Sequence, residues 1–262
     1  MKLRYFLPTT LRERRRSNIT FVESANLAVM WSPKAACTTV ITWAFQHNGL
    51  LKEALALSPW IHRYRLRDYQ KTERYLGRLR DLSANSRYAV KVVRNPFERA
   101  VSSFVHAFRH GYEDTTLREM LRRPVDRQHR FSFREFVELL EHSNLNRCNP
   151  HHRVQSTPLE RHVLFGLKPH RTIKIEDGLE QALGEIERQF NLPRTDFSNP
   201  VFRSQHHTSR AASAGLAADR RDLWEPALPP AAAFYDDDLV VRVAALYAED
   251  FERYGYDTKL SR

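Results

Sequence analysis

Residues 31–39 read Trp-Ser-Pro-Lys-Ala-Ala-Cys-Thr-Thr, and they crowd a lysine, a thiol and two hydroxyls into one short stretch. Lysine supplies a mobile point charge and a threonine hydroxyl supplies one donor. Backbone N–H groups at a helix start point outward and attract anions. Lys34, Thr38 and Thr39 in that setting read as a phosphate cradle. The ATP-type loop G-x-x-x-x-G-K-[ST] occurs nowhere in the chain. Cys37 reads as a small buried apolar side chain rather than a reactive thiol.

A second corner runs Arg94-Asn95-Pro96-Phe97-Glu98-Arg99-Ala100-Val101-Ser102. Asn95 is a good N-cap, Pro96 suits the first helical position, and Glu98 completes a capping box. Arg94 then sits beside a helix N-terminus, with Ser102 two turns up the same face. An Arg fork and a serine hydroxyl make a second phosphate clamp. The plainer reading is a small residue packed against the sheet. His151 and His152 lie in a polar loop without a zinc-like ligand spacing, so no metal is expected there. Either could be a general base or a hydrogen-bonded structural histidine.

Those side chains need elements to hold them. Leu27–Trp31 is an apolar run suited to a buried strand, and Val40, Ile41, Ala44 and Phe45 fall on one face of a following helix that Thr38 or Thr39 caps. Residues 18–23 read as a short strand with Ile19 and Phe21 alternating, 87–94 as a second core strand with one lysine inside, and 171–176 as a third. Helices are expected at 50–57, 131–141, 178–190 and 236–254, the last closed by Gly255. Residues 60–86 interleave aromatics with arginines. That pattern suits either a nucleic-acid or sugar-binding strip or an amphipathic helix burying Tyr64, Tyr69, Tyr75, Leu76 and Leu79, and the helix is preferred. Residues 109–130 read as a charged surface excursion. Residues 1–18 form a basic arm, 19–262 one domain, and 194–235 a long loop placed to act as a lid, carrying His206, His207 and Ser209.

The 262 residues are 42% hydrophobic, enough for a substantial core, and carry a formal net charge of +11. That balance favours anionic ligands without choosing among nucleotides, acidic polysaccharide, nucleic acid or a membrane surface. No apolar run is long enough to span a membrane and the N-terminus lacks a secretory signal, so a cytoplasmic location is expected, with peripheral membrane contact allowed. Two cysteines make no disulfide framework.

Taken together, the two corners resemble sulfotransferases. Pro33-Lys34-Ala35-Ala36-Cys37-Thr38-Thr39 is similar to the Pro-Lys-x-x-x-Thr loop that holds the 5′-phosphosulfate of 3′-phosphoadenosine 5′-phosphosulfate (PAPS). Its Ala-Cys form resembles the HNK-1/chondroitin/dermatan type of carbohydrate sulfotransferase. Residues 94–104 resemble the Arg-x-Pro-x-x-Arg-x-x-Ser signature whose Arg and Ser hold the 3′-phosphate. Residues 149–155 are similar to a His-Trp-x-Pro-Gln element, 172–177 to a strand ending in Glu, and 247–256 to a closing Tyr-x-x-Asp-Phe…Gly-Tyr helix. Ala36 stands where the loop often has Gly, and His152 and Val154 replace a Trp and a Pro.

The resemblance implies an α/β, P-loop-like three-layer fold: a central, mostly parallel sheet flanked by helices. It implies transfer of a sulfuryl group from PAPS to a hydroxyl of a carbohydrate or other, potentially anionic, acceptor, leaving adenosine 3′,5′-bisphosphate (PAP) and requiring no metal. Lys34 would be catalytic, with His151 and then Glu176 as choices for the base. Pro33, Lys34, Ala35, Ala36, Cys37, Thr38, Thr39, Arg94 and Ser102 would bind the donor. The rivals are a P-loop kinase-like phosphotransferase, a basic nucleic-acid-binding module and a catalytically dead relative; no specific nucleic-acid partner is expected.

Overall fold

The computed structural model describes residues 18–82, 87–161, 167–202, 216–218 and 229–260. The basic arm, with most of the expected lid and its His206, His207 and Ser209, lies outside the described residues. In chain order the strands are β1 (Ile19–Val22), β2 (Leu27–Trp31), β3 (Tyr88–Val93) and β4 (Arg171–Lys174). The helices are α1 (Cys37–His47), α2 (Leu51–Leu57), α3 (Ile61–Arg67), α4 (Glu73–Arg80), α5 (Pro96–His110), α6 (Asp114–Leu121), α7 (Phe133–Glu141), α8 (Pro158–Arg161), α9 (Leu179–Gln189), α10 (Asp237–Leu246) and α11 (Ala248–Tyr254). The chain divides into two compact units, Met1–Val93 with Gln155–Ser204 and Arg94–Val154 with Gln205–Arg262.

The first unit is the α/β sheet. Its strands lie in the order β1-β2-β3-β4. β1 returns antiparallel to β2, and β2, β3 and β4 run parallel. The apolar runs of β2 and β3 follow from this, because a parallel sheet covered on both faces buries every strand residue. β1 is likewise buried at all four positions rather than at alternate ones. It turns into β2 through Asn26, whose φ of 48° is left-handed. α1 is buried on every side, Thr42 and Trp43 included, so its core contact is not confined to the expected single face. Burying Phe45 alone stabilises the unit by about 1.5–3 kcal/mol. Gly49, at φ 70°, breaks the chain between α1 and α2.

The described part of the 60–86 region, up to residue 82, is mainly helical as preferred, but in pieces. Asp68 ends α3, and Thr72 restarts the chain as N-cap of α4 by accepting from Tyr75 N–H. Tyr64, Tyr69, Tyr75, Leu76 and Leu79 are buried, as their spacing requires. The third strand is shorter than expected. β4 stops at Lys174, and Glu176 falls in a 3-10 turn, Ile175–Asp177, closed by Gly178 at φ 100°.

The second unit is helical, around Phe104. Its ring lies 5.4–5.8 Å from those of Phe108, Phe131, Phe133, Phe136 and Phe234. Ser132 and Glu135 form a capping box that starts α7, later than the sequence periodicity implies. The excursion 109–130 contains α6 and buries Leu117 and Val125. The expected closing helix is two helices, because Tyr247 leaves helical geometry at φ −109°, ψ 27°. Its buried hydroxyl donates to His152 O at 2.8 Å. Among the described residues no helix is long and apolar enough to cross a membrane.

Candidate functional site

In the first unit the parallel strands bring the carboxyl ends of β2, β3 and β4 to one edge of the sheet, where ligands of such sheets bind. The Ser32–Thr39 corner leaves that edge from β2, and the turn carrying Glu176 leaves it from β4. Glu176 is exposed there.

The corner is shaped by its backbone. Lys34 has φ 69° and Ala36 φ 51°, both left-handed, a conformation that costs a residue with a Cβ about 1–2 kcal/mol. Alternating handedness of this kind turns backbone N–H groups into a concave anion-binding nest. α1 then begins at Cys37 with Ala36 as its N-cap, and among the described residues no side chain caps it. The first-turn N–H groups therefore lack a side-chain acceptor, and the helix dipole adds a partial positive charge behind them. This corrects the expectation that Thr38 or Thr39 caps the helix; both lie inside it. Thr39 Oγ1 donates instead to Phe202 O at 3.0 Å, which leaves Thr38 as the hydroxyl of the first turn. Ala35 N–H closes the turn onto Ser32 O at 3.1 Å, so it is engaged within the loop. Pro33 and Lys34 are half-buried. Cys37 is half-buried rather than fully enclosed, with Sγ 3.5 Å from His62 Nε2.

The loop is tied to the middle of the sheet through one carbonyl. Gln155 O accepts from Ser32 Oγ at 3.1 Å and from Lys91 Nζ at 2.6 Å. Lys91 also meets Glu160 Oε2 at 2.9 Å, the pair being 0% and 2% exposed. Lys91 is the charged residue inside the β3 run, a departure from apolar pattern that marked it in the sequence without naming its partner.

The second unit carries the other candidates. Asn95 caps α5 by accepting from Phe97 N–H at 2.9 Å, and Pro96 takes the first turn as expected. Glu98 turns to Arg94, Oε2 to Nη2 2.8 Å, making an i,i+4 pair. Ser102 is half-buried and Ser103 fully so. Arg99, 1% exposed, holds the 147–153 loop: Nη2 donates to the carbonyls of His151 and Arg153, and Nη1 lies 3.9 Å from Asp250.

The two neighbouring histidines have different surroundings. His152 is buried, with Nδ1 2.9 Å from Ser103 Oγ and Nε2 3.1 Å from Glu113 Oε1. Both its nitrogens are engaged, so it serves the loop's structure. Burial opposes ionisation of Glu113, but hydrogen bonds from His152 and Asn149 outweigh it and hold the carboxyl below its ordinary value. His151 is half-buried, and its Nδ1 lies 3.0 Å from Asn149 Oδ1. Asn149 Nδ2 donates to Glu113 at 2.9 Å, which fixes Oδ1 as the acceptor. His151 must therefore carry its proton on Nδ1, leaving Nε2 as a lone-pair acceptor. Arg99 stood in the sequence only as the second Arg of the signature, without a role, and Glu113 had no signal of its own, since a charged residue in a surface stretch has no visible partner.

A model of the sulfotransferase family matches residues 17–257. The chain belongs to the sulfotransferase family. No curated protein and no solved structure matches it. The four-stranded, mostly parallel sheet flanked by helices agrees with the P-loop-like fold of a sulfotransferase. A sulfotransferase moves a sulfuryl group onto a hydroxyl-bearing acceptor. Such a reaction needs cations and N–H donors for an anionic donor and a base for the hydroxyl.

Proposed function

We propose that this sulfotransferase takes its sulfuryl group from PAPS and transfers it to a hydroxyl of a carbohydrate. The observation that carries the donor assignment is the left-handed turn at Lys34 and Ala36 leading into the uncapped start of α1. In this reading the corner receives the 5′-phosphosulfate, with Thr38 and the first-turn N–H groups on its oxygens. Arg94 and Ser102 take the 3′-phosphate, on the strength of their match to the family signature.

The acceptor oxygen attacks sulfur while the bond from sulfur to the bridging oxygen breaks. Lys34 meets the charge that grows on that oxygen as PAP leaves. The acceptor's proton passes to His151 Nε2; Glu176, exposed beyond β4, is the second choice for that role. Positioning and charge stabilisation supply most of the rate enhancement, as in phosphoryl transfer. The carbohydrate acceptor rests on the Ala-Cys form of the loop, and the net charge of +11 suits an anionic one.

The test is transfer of radiolabelled sulfate from PAPS to glycans, lipids and small phenols, paired with calorimetry using PAP, ATP and an oligonucleotide. Label on a glycan and tighter binding of PAP than of ATP are expected. Label confined to phenols or lipids overturns the carbohydrate acceptor, and preference for ATP overturns the donor. In Arg94→Ala, binding of 3′-phosphorylated nucleotides should weaken selectively; equal loss for nucleotides lacking that phosphate contradicts the 3′ assignment.

A further inference from the structure

α3 presents Arg65 to the same corner. Arg65 is 8% exposed, so a charged residue is nine-tenths removed from water. Burying a charge is costly unless it is paired and hydrogen-bonded. Among the described residues Arg65 Nε is buried without a hydrogen-bond partner, and no carboxylate forms an ion pair with the side chain. Burial pushes its guanidinium down from its ordinary value, opposed by the nearby Cys37 and Tyr75 side chains. Neither neighbour is a carboxylate.

One contact places the head group. It stacks over the ring of Trp31, 5.6 Å from the centroid, and Trp31 is the last residue of β2. Arg65 thus lies against the strand end that leads into the loop carrying Lys34. His62, one turn earlier on α3, faces the same way through its contact with Cys37 Sγ. The Trp31 ring offsets part of the burial cost and fixes the plane of the fork, but supplies no hydrogen-bond acceptor.

We propose that Arg65 is an anion-binding residue of the donor site, its guanidinium held on Trp31 to meet the oxygens of a phosphosulfate seated on the Ser32–Thr39 corner. The assignment rests on the PAPS reading given above. A planar fork can take two oxygens of one phosphate or sulfate, where Lys34 offers a point charge. The missing partner would then arrive with the substrate.

The test separates an anion-binding residue from a structural one. Arg65→Met keeps the stem and removes the charge. Its unliganded melting temperature should equal or exceed that of the wild type, because an uncompensated buried charge is gone. By calorimetry its PAPS affinity should fall about 10- to 100-fold, the loss of charged hydrogen bonds. Arg65→Lys, which keeps the charge without the fork, should bind between the two. Inorganic pyrophosphate should raise the melting temperature of the wild type and raise that of Arg65→Met far less. PAPS affinity unchanged within twofold overturns the proposal. So does an Arg65→Met protein that melts well below the wild type or does not fold, since the guanidinium is then a structural strut. A wild type that responds to pyrophosphate through Arg65 but does not bind PAPS leaves the anion site standing and refutes the donor reading instead.

Discussion

His151 Nδ1 lies 3.0 Å from Asn149 Oδ1, and that contact decides which imidazole nitrogen can take a proton. Asn149 is itself oriented by Glu113, so the tautomer of one half-buried histidine is set by a carboxylate two partners away. If His151 is the base, His151→Gln should lower kcat by about 10²–10⁴-fold, the usual range for general-base catalysis, while PAP affinity stays within twofold. Asn149→Leu should lower kcat less and in the same direction, because the ring loses its orientation but keeps its nitrogen. Steady-state rates beside calorimetry check both; unchanged kcat in His151→Gln moves the role to another group.

If the Ser32–Thr39 corner seats the donor, removing its charge should be severe. Lys34→Ala is expected to lower kcat by about 10²–10³-fold, the scale for losing one group that stabilises developing charge. Lys34→Arg should recover part of the rate. A single-turnover measurement at saturating PAPS reads the chemical step, and a variant as fast as wild type would remove Lys34 from it.

The buried pair of Lys91 and Glu160 should matter to stability. Lys91→Met leaves the buried Glu160 carboxylate with the Thr157 N–H but without its countercharge, and takes a donor from Gln155 O, at a cost of about 3–5 kcal/mol. Glu160→Leu combined with Lys91→Met should be less destabilised than Lys91→Met alone. Urea unfolding of the two proteins measures the difference; equal or lower stability of the double variant contradicts the pairing.

Acid should loosen the first unit through His47 and Glu187, which lie 3.1 Å apart and almost wholly buried. Burial lowers the His47 value below its ordinary 6.5 despite the favourable contact with Glu187. The unfolded chain then binds the proton more readily, so stability falls as pH drops below about 6.5 towards the folded value. Glu187 acts in the same sense at lower pH. Burial opposes its ionisation, but hydrogen bonds from Thr195, Trp43 and His47 prevail and lower its value, so its contribution disappears as the carboxylate protonates. Melting temperature should decline from pH 7.5 to 5, and His47→Gln should flatten the part of the curve near 6.5. A wild-type curve without that decline contradicts the account.

Much of the sheet was legible because apolar runs such as Leu27–Trp31 are dictated by burial on both faces. Asn95 and Gly255 were legible because caps are local chemistry. The breaks were less so. Tyr247 interrupts a helix whose periodicity runs straight through it, since its hydroxyl reaches a carbonyl 95 positions away in sequence. Thr39 was read as a cap or phosphate donor, but its proton goes to Phe202, a partner that spacing cannot reveal. Arg65 was visible only as one arginine among several in a mixed stretch. What distinguishes it is a missing partner, and a missing partner is a property of three dimensions.

The two left-handed residues of the Ser32–Thr39 corner separate shape from charge. The path of the chain there is written in torsion angles at 34 and 36, while the Lys34 ammonium adds a charge that the path does not depend on. Exchanging Lys34 for Arg or Gln rewrites the field and leaves the path. A valine or isoleucine at position 36 leaves the field and disfavours the path, because branching at Cβ resists that torsion. The corner can therefore be damaged in two independent ways, and loss of activity without loss of charge is one of them.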